Sequence, residues 1–461
     1  MNTPLFDALT AFAGSDPLRL HMPGHKGRLP SPFGPLAALD VTELAPTGNL
    51  YTGEGPIAPA EDLCARAAGA ADALFFSCGS TQGIFTMLHS AVGMGGTLLL
   101  DRQSHKSVYH AMGLLDITPR YLTPPVRADL SLPEPVSPAL LESALAQTPE
   151  AAAVLVTNPS YYGVRADLAS LAAVCRRFGV LLLVDEAHGA HFPFVDLPSA
   201  VALGADLAVA STHKTWPAMG SSAVLYRGAH CPIPKSELKA GSAIFATTSP
   251  SFPILASIDY ARGLLEGEYG ETYRACAEQT ALLRAAINQK TPFHALVPED
   301  SLSLDPCRLT VDTRAGGLSG FGAEQQLRAQ NIYMEMADER YVVAILTCCD
   351  SPETFESLLS AFLSLTPDGA PAQDDPLPEL SPPQIRCSIR RALFGPREQL
   401  PLRAAAGHIS AQIVAPYPPG VPILAPGEEI TEKHIAYLQK KRYNIDESIA
   451  AVPLDNQEGF V

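Results

Sequence analysis

The sequence has 461 residues, of which 47% are hydrophobic and 17% are charged, and its formal net charge at pH 7 is −16. A chain of this length exceeds one ordinary domain, so we expect about two or three domains. The acidic balance argues against a nucleic-acid partner and is compatible with cationic ligands. No apolar run reaches the roughly 18 residues that a transmembrane helix needs.

The nine cysteines are scattered along the chain and form no C-x-x-C pair. Cys175, Cys348 and Cys349 lie in apolar segments, which is typical of buried free thiols in a reducing compartment. The first residues also lack the basic and apolar regions of a signal peptide. We therefore expect a cytoplasmic protein with no membrane contact.

In chain order, residues 1–60 are rich in Pro and Gly with little periodicity, which predicts an irregular N-terminal arm lying on another domain or subunit. Over residues 61–265, apolar strand-like runs alternate with helix-like runs of about ten residues, which predicts an α/β domain with a mostly parallel central sheet. Residues 266–370 predict a smaller α+β domain. Residues 371–461 predict a linker and a C-terminal domain.

The predicted strands of the large domain are continuous apolar runs, as expected where both faces of a sheet are covered. They cover residues 73–76, 97–100, 120–122, 153–156, 180–184, 207–210 and 223–226. Polar side chains follow several of these strands. Because ligands of such sheets bind beyond the carboxyl ends of the strands, one crevice could collect these side chains.

Two of the polar turns follow early strands. Ser80 and Thr81 lie where a strand ends and a helix begins, so their backbone N–H groups and hydroxyls form either a phosphate site or an ordinary helix cap. His105, in the segment SHKS, either stacks on a flat ligand or belongs to a capping turn. Neither segment alone distinguishes a ligand site from a helix cap.

Asp185 follows the strand VLLLV and begins the segment DEAH. Its carboxylate could pair with a protonated ring nitrogen, bind a metal or form an ion pair. A nucleoside-triphosphatase is excluded because the chain has no Gly-Lys dipeptide and hence no phosphate-binding loop of that kind. A metal site that includes His188 and His191 is disfavoured, because their spacing needs a helix where the sequence predicts a loop. We therefore expect no metal.

Lys214 follows the apolar run at residues 207–210. A lysine in this position either extends its amine to solvent or is desolvated and attacks an aldehyde. A phosphate site, a ring site between His105 and Ala187, the Asp185 carboxylate and this lysine are together what pyridoxal 5'-phosphate (PLP) requires.

The sequence resembles the Orn/Lys/Arg decarboxylases, which have PLP-dependent transferase fold type I, in a short form without the N-terminal wing domain. The resemblance covers most of the chain. It rests on the segments HMPGHKG, DVTEL, EGPI, SHKS, LVTNPSYYG, LVDEAHGAH, STHKT, TTSPSF and PYPPGVPILAPGE. The family differs in having a histidine where this chain has Tyr51 and a small aliphatic residue where it has Trp216, and both changes could reshape the pocket.

The resemblance implies PLP as the cofactor and three catalytic residues. Lys214 would bind the PLP aldehyde, Asp185 would pair with the ring nitrogen, and His105 would stack on the ring. Further cofactor contacts would come from Ser80, Thr81, Ser211 and His213 at the phosphate, from His188 near the phenolic oxygen, and from Thr248 at the phosphate of a neighbouring subunit. A homodimer or a larger homo-oligomer with shared active sites follows from the last contact.

The implied reaction is decarboxylation of lysine, arginine or ornithine to a di- or polyamine and CO2. Glu335, Asp338 and Glu339 could bind the distal cation of the substrate or could form an exposed acidic face. The alternatives are an aldolase, an aminotransferase with Arg340 or Arg308 at the α-carboxylate, and a PLP-binding homologue without activity. A nicotinamide enzyme is disfavoured because no G-x-G-x-x-G follows an early strand.

Overall fold

The computed structural model describes residues 1–300, 302–367, 369, 384–415, 421–440 and 448–453. The helices are α1 (Pro4–Gly14), α2 (Gly34–Leu39), α3 (Ile57–Ala68), α4 (Gly79–Ala91), α5 (Lys106–Leu115), α6 (Pro138–Gln147), α7 (Leu168–Phe178), α8 (Thr212–Thr215), α9 (Lys235–Ile244), α10 (Phe252–Leu265), α11 (Glu268–Lys290), α12 (Gly320–Ala329), α13 (Pro352–Ser364), α14 (Ile389–Phe394) and α15 (Glu432–Lys440). The strands are β1 (Asp72–Phe76), β2 (Thr97–Asp101), β3 (Thr118–Leu122), β4 (Val126–Arg127), β5 (Leu132–Pro133), β6 (Ala151–Thr157), β7 (Leu181–Asp185), β8 (Leu207–Ala210), β9 (Ala223–Arg227), β10 (His294–Ala295), β11 (Arg308–Asp312), β12 (Met336–Ala337), β13 (Tyr341–Ile345), β14 (Glu398–Pro401), β15 (Ile409–Ser410) and β16 (Ser448–Val452).

A seven-stranded sheet with the order β1-β9-β8-β7-β6-β2-β3 forms the core of the large unit. The pairs from β8 through β3 are parallel, whereas β9 runs antiparallel to both of its neighbours. The prediction of a mostly parallel central sheet is therefore confirmed. The strand side chains pack into two apolar clusters, and β8 is buried at all of its positions.

The N-terminal region is more regular than its sequence indicates. The prediction missed α1 and α2, which lie within the expected irregular arm. Leu5 and Leu9 are fully buried, and the Leu5 N–H donates to Asp259 of α10 over 2.9 Å. Only two buried leucines, four residues apart, mark this helix, so its apolar face is too short to give a clear periodic signal.

Two smaller units follow the large one. A four-stranded antiparallel sheet, in the order β10-β11-β13-β12, packs with α11, α12 and α13, in line with the predicted α+β pattern. The last described residues add the three-stranded sheet β14-β16-β15. In the part of the chain that the structure describes, no helix is both long and apolar enough to cross a membrane.

A buried ion pair joins the C-terminal unit to the large one. Arg102, just after β2, lies 3.0 Å from Glu428, whose side chain is 1% exposed. The guanidinium also donates to the Tyr109 hydroxyl and to the Ile423 carbonyl, at 2.7 and 3.1 Å. Charges this deeply buried require such partners, because an unpaired charge would lose its hydration without compensation.

We therefore predict that Arg102→Met lowers the free energy of unfolding by about 3–5 kcal/mol, because Glu428 would remain buried without its cation. Urea denaturation measures this difference. The matched control is Arg177→Met, which removes a pair with Glu142 whose side chains are 57% and 54% exposed. The control variant should lose about 0–1 kcal/mol. Equal losses in the two variants would contradict the structural role of the buried pair.

Candidate active site

A cavity of about 150 Å³ opens at the carboxyl ends of the central strands. Asp101, Thr157 and Asp185 are the last residues of β2, β6 and β7, and all three line it. This is the edge of the sheet at which ligands of parallel sheets bind. The cavity wall contains five of the predicted site residues: Ser80, His105, Asp185, His188 and Lys214.

Lys214 lies on the single turn α8, directly after β8. Its Nζ is 3.0 Å from Nε2 of His188. Burial lowers the pKa of the Lys214 amine, and the negative charge of Asp185 only partly opposes this effect. A lowered pKa increases the fraction of neutral amine at pH 7, and the neutral amine is the form that attacks an aldehyde.

Asp185 is 4% exposed. Its Oδ1 accepts a hydrogen bond from the Ala187 N–H over 3.1 Å. Burial raises the pKa of this carboxyl, whereas the charge of Lys214 lowers it. A buried carboxylate with so few donors is complementary to a ring N–H cation, which would supply the opposite charge that the site needs.

His105 caps α5 and also lines the cavity. Its Nδ1 accepts from the Ser107 N–H at 3.2 Å and lies 2.9 Å from the Ser107 hydroxyl. Burial lowers the pKa of His105 from 6.5 to about 4, and the charge of Lys214 adds to this effect. The capping turn therefore leaves His105 on the cavity wall, and the lowered pKa favours the neutral imidazole at pH 7.

The turn before α4 is held by a second turn after β8. The Gly79 N–H donates to the Ser221 carbonyl over 2.7 Å, and Gly79 has a φ of +77°, which favours glycine. Ser80 is half-buried and Thr81 is exposed at the start of the helix. Their N–H groups belong to the first turn, where backbone donors lack partners within the helix and attract anions.

Ser211 and His213 lie between β8 and this second turn. His213 donates from Nδ1 to the Ser222 carbonyl over 2.7 Å. The Ser211 hydroxyl is fully buried and has no hydrogen-bond partner among the described residues. A buried hydroxyl without a partner is costly, so it favours a ligand that supplies one. Together with the buried amine of Lys214 and the Asp185 carboxyl, this donor set fits PLP.

Sequence profiles place the chain in a known family. The profile of the Orn/Lys/Arg decarboxylase major domain matches residues 3–299, and that of the C-terminal domain of the same family matches residues 374–447. The chain belongs to this family. An arginine decarboxylase of Bacillus subtilis is 34% identical to it over 482 residues, which cover 99% of this chain and 96% of that protein.

Solved structures of similar fold include the lysine decarboxylase of Francisella novicida, with a TM-score of 0.82 and 20% identity over 98% of this chain and 81% of that one. A structure described as SPT with PLP has a TM-score of 0.51 and 18% identity, and it covers 67% of this chain and 75% of that one. The predicted PLP-dependent transferase fold type I is thus confirmed, and the family implies PLP as the cofactor.

Several residues that the sequence analysis did not assign to the site line the cavity. Asp101 ends β2 as Asp185 ends β7, so the same pattern of an apolar strand followed by a carboxylate could have indicated it. Tyr161 comes from a distant part of the chain, and its hydroxyl donates to the carboxylate of Glu335, which also lines the cavity and which the sequence analysis named as a possible partner of a distal cation. The part of the PYPPGVPILAPGE segment at residues 416–420 lies outside the described residues.

Among the described residues of a single chain, neither Tyr51 nor Trp216 lines the cavity, so their effect on the pocket stays a prediction. Trp216 is 5% exposed, and its indole N–H donates to the Ala190 carbonyl over 2.8 Å. The Tyr51 hydroxyl donates to the Thr247 carbonyl over 2.5 Å. Thr248 is exposed outside the cavity of a single chain, so its contact with a neighbouring subunit stays a prediction.

The lowered pKa of His105 predicts a pH effect on stability. Between pH 6.5 and 4 the unfolded chain would bind more protons at this residue than the folded chain, so His105 removes stability as the pH falls through that window. As the pH falls from 7 to 5, the wild type should therefore lose about 1–2 kcal/mol more of its free energy of unfolding than His105→Phe loses. Urea denaturation of both proteins at several pH values measures it, and a difference independent of pH would contradict the prediction.

Proposed function

We propose that this protein is a PLP-dependent decarboxylase that converts lysine, arginine or ornithine to the corresponding di- or polyamine and CO2. One observation carries the proposal: the buried amine of Lys214 shares a cavity with the Asp185 carboxyl and with the acidic side chain of Glu335. The names of the similar arginine and lysine decarboxylases support the same reaction.

Under this proposal each part of PLP would have a partner among the described residues. Lys214 would bind its aldehyde carbon, Asp185 its ring nitrogen, and His105 the face of its ring. Ser80, Thr81, Ser211 and His213 would hold the phosphate, and His188 would lie near the phenolic oxygen. When bound, PLP supplies an electron sink for the electron pair that the departing CO2 leaves behind.

The chain's own residues control the protons of this reaction. The Asp185 carboxylate stabilises positive charge on a bound ring nitrogen, because few other groups solvate it in its buried position. Lys214 or His105 returns a proton to Cα after CO2 has left, since both side chains line the cavity.

The acidic wall of the cavity favours a substrate with a distal cation. Glu335 and Glu134 both line the cavity. Of the three acidic candidates from the sequence, only Glu335 is among the described residues that line the cavity, whereas Asp338 accepts a hydrogen bond from the Tyr162 hydroxyl over 2.6 Å and Glu339 lies 3.7 Å from Arg314. Glu335 is therefore the residue that we assign to the ammonium or guanidinium group of the substrate.

The arginines suggested for an aminotransferase have other partners. Arg340 donates to Asp312 over 2.7 Å, and Arg308 is 1% exposed and lies 3.2 Å from His188. An α-carboxylate site at either residue would require it to leave these contacts. This observation favours the decarboxylase over the aminotransferase.

We further propose that the protein acts in the cytoplasm, in polyamine biosynthesis, as a homodimer or a larger homo-oligomer with shared active sites. The exposed position of Thr248 supports this assembly, because the residue is accessible to a second subunit. In the N-terminal region, Leu18, Leu20 and Met22 are 80%, 84% and 58% exposed, and exposed apolar side chains that lie close together are typical of protein–protein contacts.

The first test of the reaction measures CO2 released from lysine, arginine and ornithine by the protein loaded with PLP. At least one of these amino acids should yield CO2 and its amine in equal amounts. Lys214→Ala should lower the rate by at least about 10²-fold, whereas Lys433→Ala, which changes an exposed lysine, should not change it.

Each other outcome of this assay contradicts the proposal in a different way. Formation of a keto acid without CO2 would indicate an aminotransferase. Binding of PLP without turnover of any basic amino acid would indicate a homologue without activity. Full activity of Lys214→Ala would overturn the role of Lys214.

A second test concerns the distal cation. Glu335→Gln should raise the KM for the preferred substrate about 10-fold or more, because a charge-assisted hydrogen bond contributes about 1.5–3 kcal/mol. Glu339→Gln is the matched control, since Glu339 pairs with Arg314 and is not among the residues that line the cavity. Equal KM values in the wild type and Glu335→Gln would contradict this assignment.

A further inference from the structure

A buried arginine lies behind the histidine that contacts Lys214. Arg308, the first residue of β11, is 1% exposed, although it belongs to the small unit and is far from Lys214 in sequence. Its Nη2 lies 3.2 Å from Nδ1 of His188, and its Nη1 donates to the Tyr161 carbonyl over 3.2 Å. The other ring nitrogen of His188, Nε2, lies 3.0 Å from Nζ of Lys214.

The chemistry of these atoms determines where the protons are. A guanidinium has donors only, so Nδ1 of His188 must accept from Arg308. In a neutral imidazole the proton then resides on Nε2, which points it at Lys214. An N–H donor at 3.0 Å can bond to the lone pair of a neutral amine but not to an ammonium group, which has no acceptor.

We infer that Arg308 is a positioning residue: it holds His188 as the tautomer protonated on Nε2, and this tautomer keeps the amine of Lys214 in its neutral form. The inference rests on the proposed function for the role of Lys214 and adds a residue that controls its protonation state.

The surroundings of His188 support the neutral tautomer. Burial lowers the pKa of His188 well below its usual value, and the charges of Lys214 and Arg308 act in the same direction. The titratable and charged groups that face His188 are Lys214, Arg308, His105 and His191. The ring of Tyr161 also packs edge-on against the imidazole, with 4.7 Å between the two ring centroids. Those that act on Lys214 besides His188 are Asp185, Glu335 and Arg308.

The fold fixes Arg308 in place. The Asp305 carboxylate lies 3.9 Å from the guanidinium of Arg308, and it is hydrogen-bonded to Nε2 of His191 over 2.9 Å. Gly163 packs against the side chain: a Cβ atom there would lie 2.6 Å from Cγ of Arg308, and the residue has a φ of +84°. A larger residue at this position would therefore displace the arginine.

The first experiment reads the tautomer directly, by ¹⁵N NMR of the full-length protein with labelled histidine, with and without PLP. His188→Gln identifies the signals. The wild type should show His188 protonated on Nε2. Arg308→Met should give the Nδ1-protonated form or a mixture, whereas Arg165→Met, which removes a nearby half-buried arginine that donates to Ser303, should not change the tautomer.

The second experiment measures the pH midpoint of reductive methylation of Lys214 in the full-length chain after removal of PLP. Arg308→Met should raise this midpoint by about one pH unit or more, because the amine loses both the facing N–H donor and a nearby cation. Arg308→Lys keeps a cation that has only hydrogen-bond donors. It should therefore show the wild-type tautomer and a methylation midpoint close to that of the wild type.

A wild-type His188 protonated on Nδ1 would overturn the inference even if no Arg308 variant folds. An unchanged tautomer in Arg308→Met would overturn it as well. These results are independent of the proposed function, whose failure would appear as the absence of CO2 release by the wild type.

Discussion

A lysine amine that is largely removed from bulk water is the constraint around which this site is organised. Removing a lysine from solvent is unfavourable for its charged form, so the surroundings determine whether the amine is neutral or paired. Here the lysine follows a fully buried strand, a carboxyl ends the neighbouring strand, and a histidine lies 3.0 Å away. These three groups meet because parallel strands bring their carboxyl ends to one edge.

Other units of the molecule contribute side chains to this edge. The small unit contributes Glu335, and the C-terminal unit contributes Val421 to the same cavity. The ion pair of Arg102 and Glu428 fixes the C-terminal unit against the large one. A cavity shared between units in this way depends on contacts that lie outside it, so substitutions at those contacts would affect chemistry as well as stability.

Much of the fold could be predicted from the sequence, because apolar strands covered on both faces differ sharply from the polar turns around them. The observed β8 has the bounds that its apolar run predicts, and β7 differs by one residue at each end. Five residues chosen by their position after strands share one cavity, although their roles remain predictions. The sequence around Arg308 does not indicate a place near the site, because that place depends on a contact with His188, which is 120 positions away.

Trp216 shows what the sequence alone leaves open. A large aromatic residue close to Lys214 in sequence could contact a ligand there, whereas in the structure the indole lies in the apolar core. Only the folded structure reveals that the indole N–H donates to the Ala190 carbonyl. It also shows that Phe194 packs edge-on against the indole, with 5.5 Å between the two ring centroids.

The same residue has an optical consequence. Because Trp216 is the only tryptophan of the chain, the intrinsic indole fluorescence of the whole protein comes from one ring. That ring lies two residues from Lys214, and its hydrogen bond connects the lysine segment to the loop that carries His188. Its emission therefore reports the packing between these two segments without a signal from any other part of the molecule.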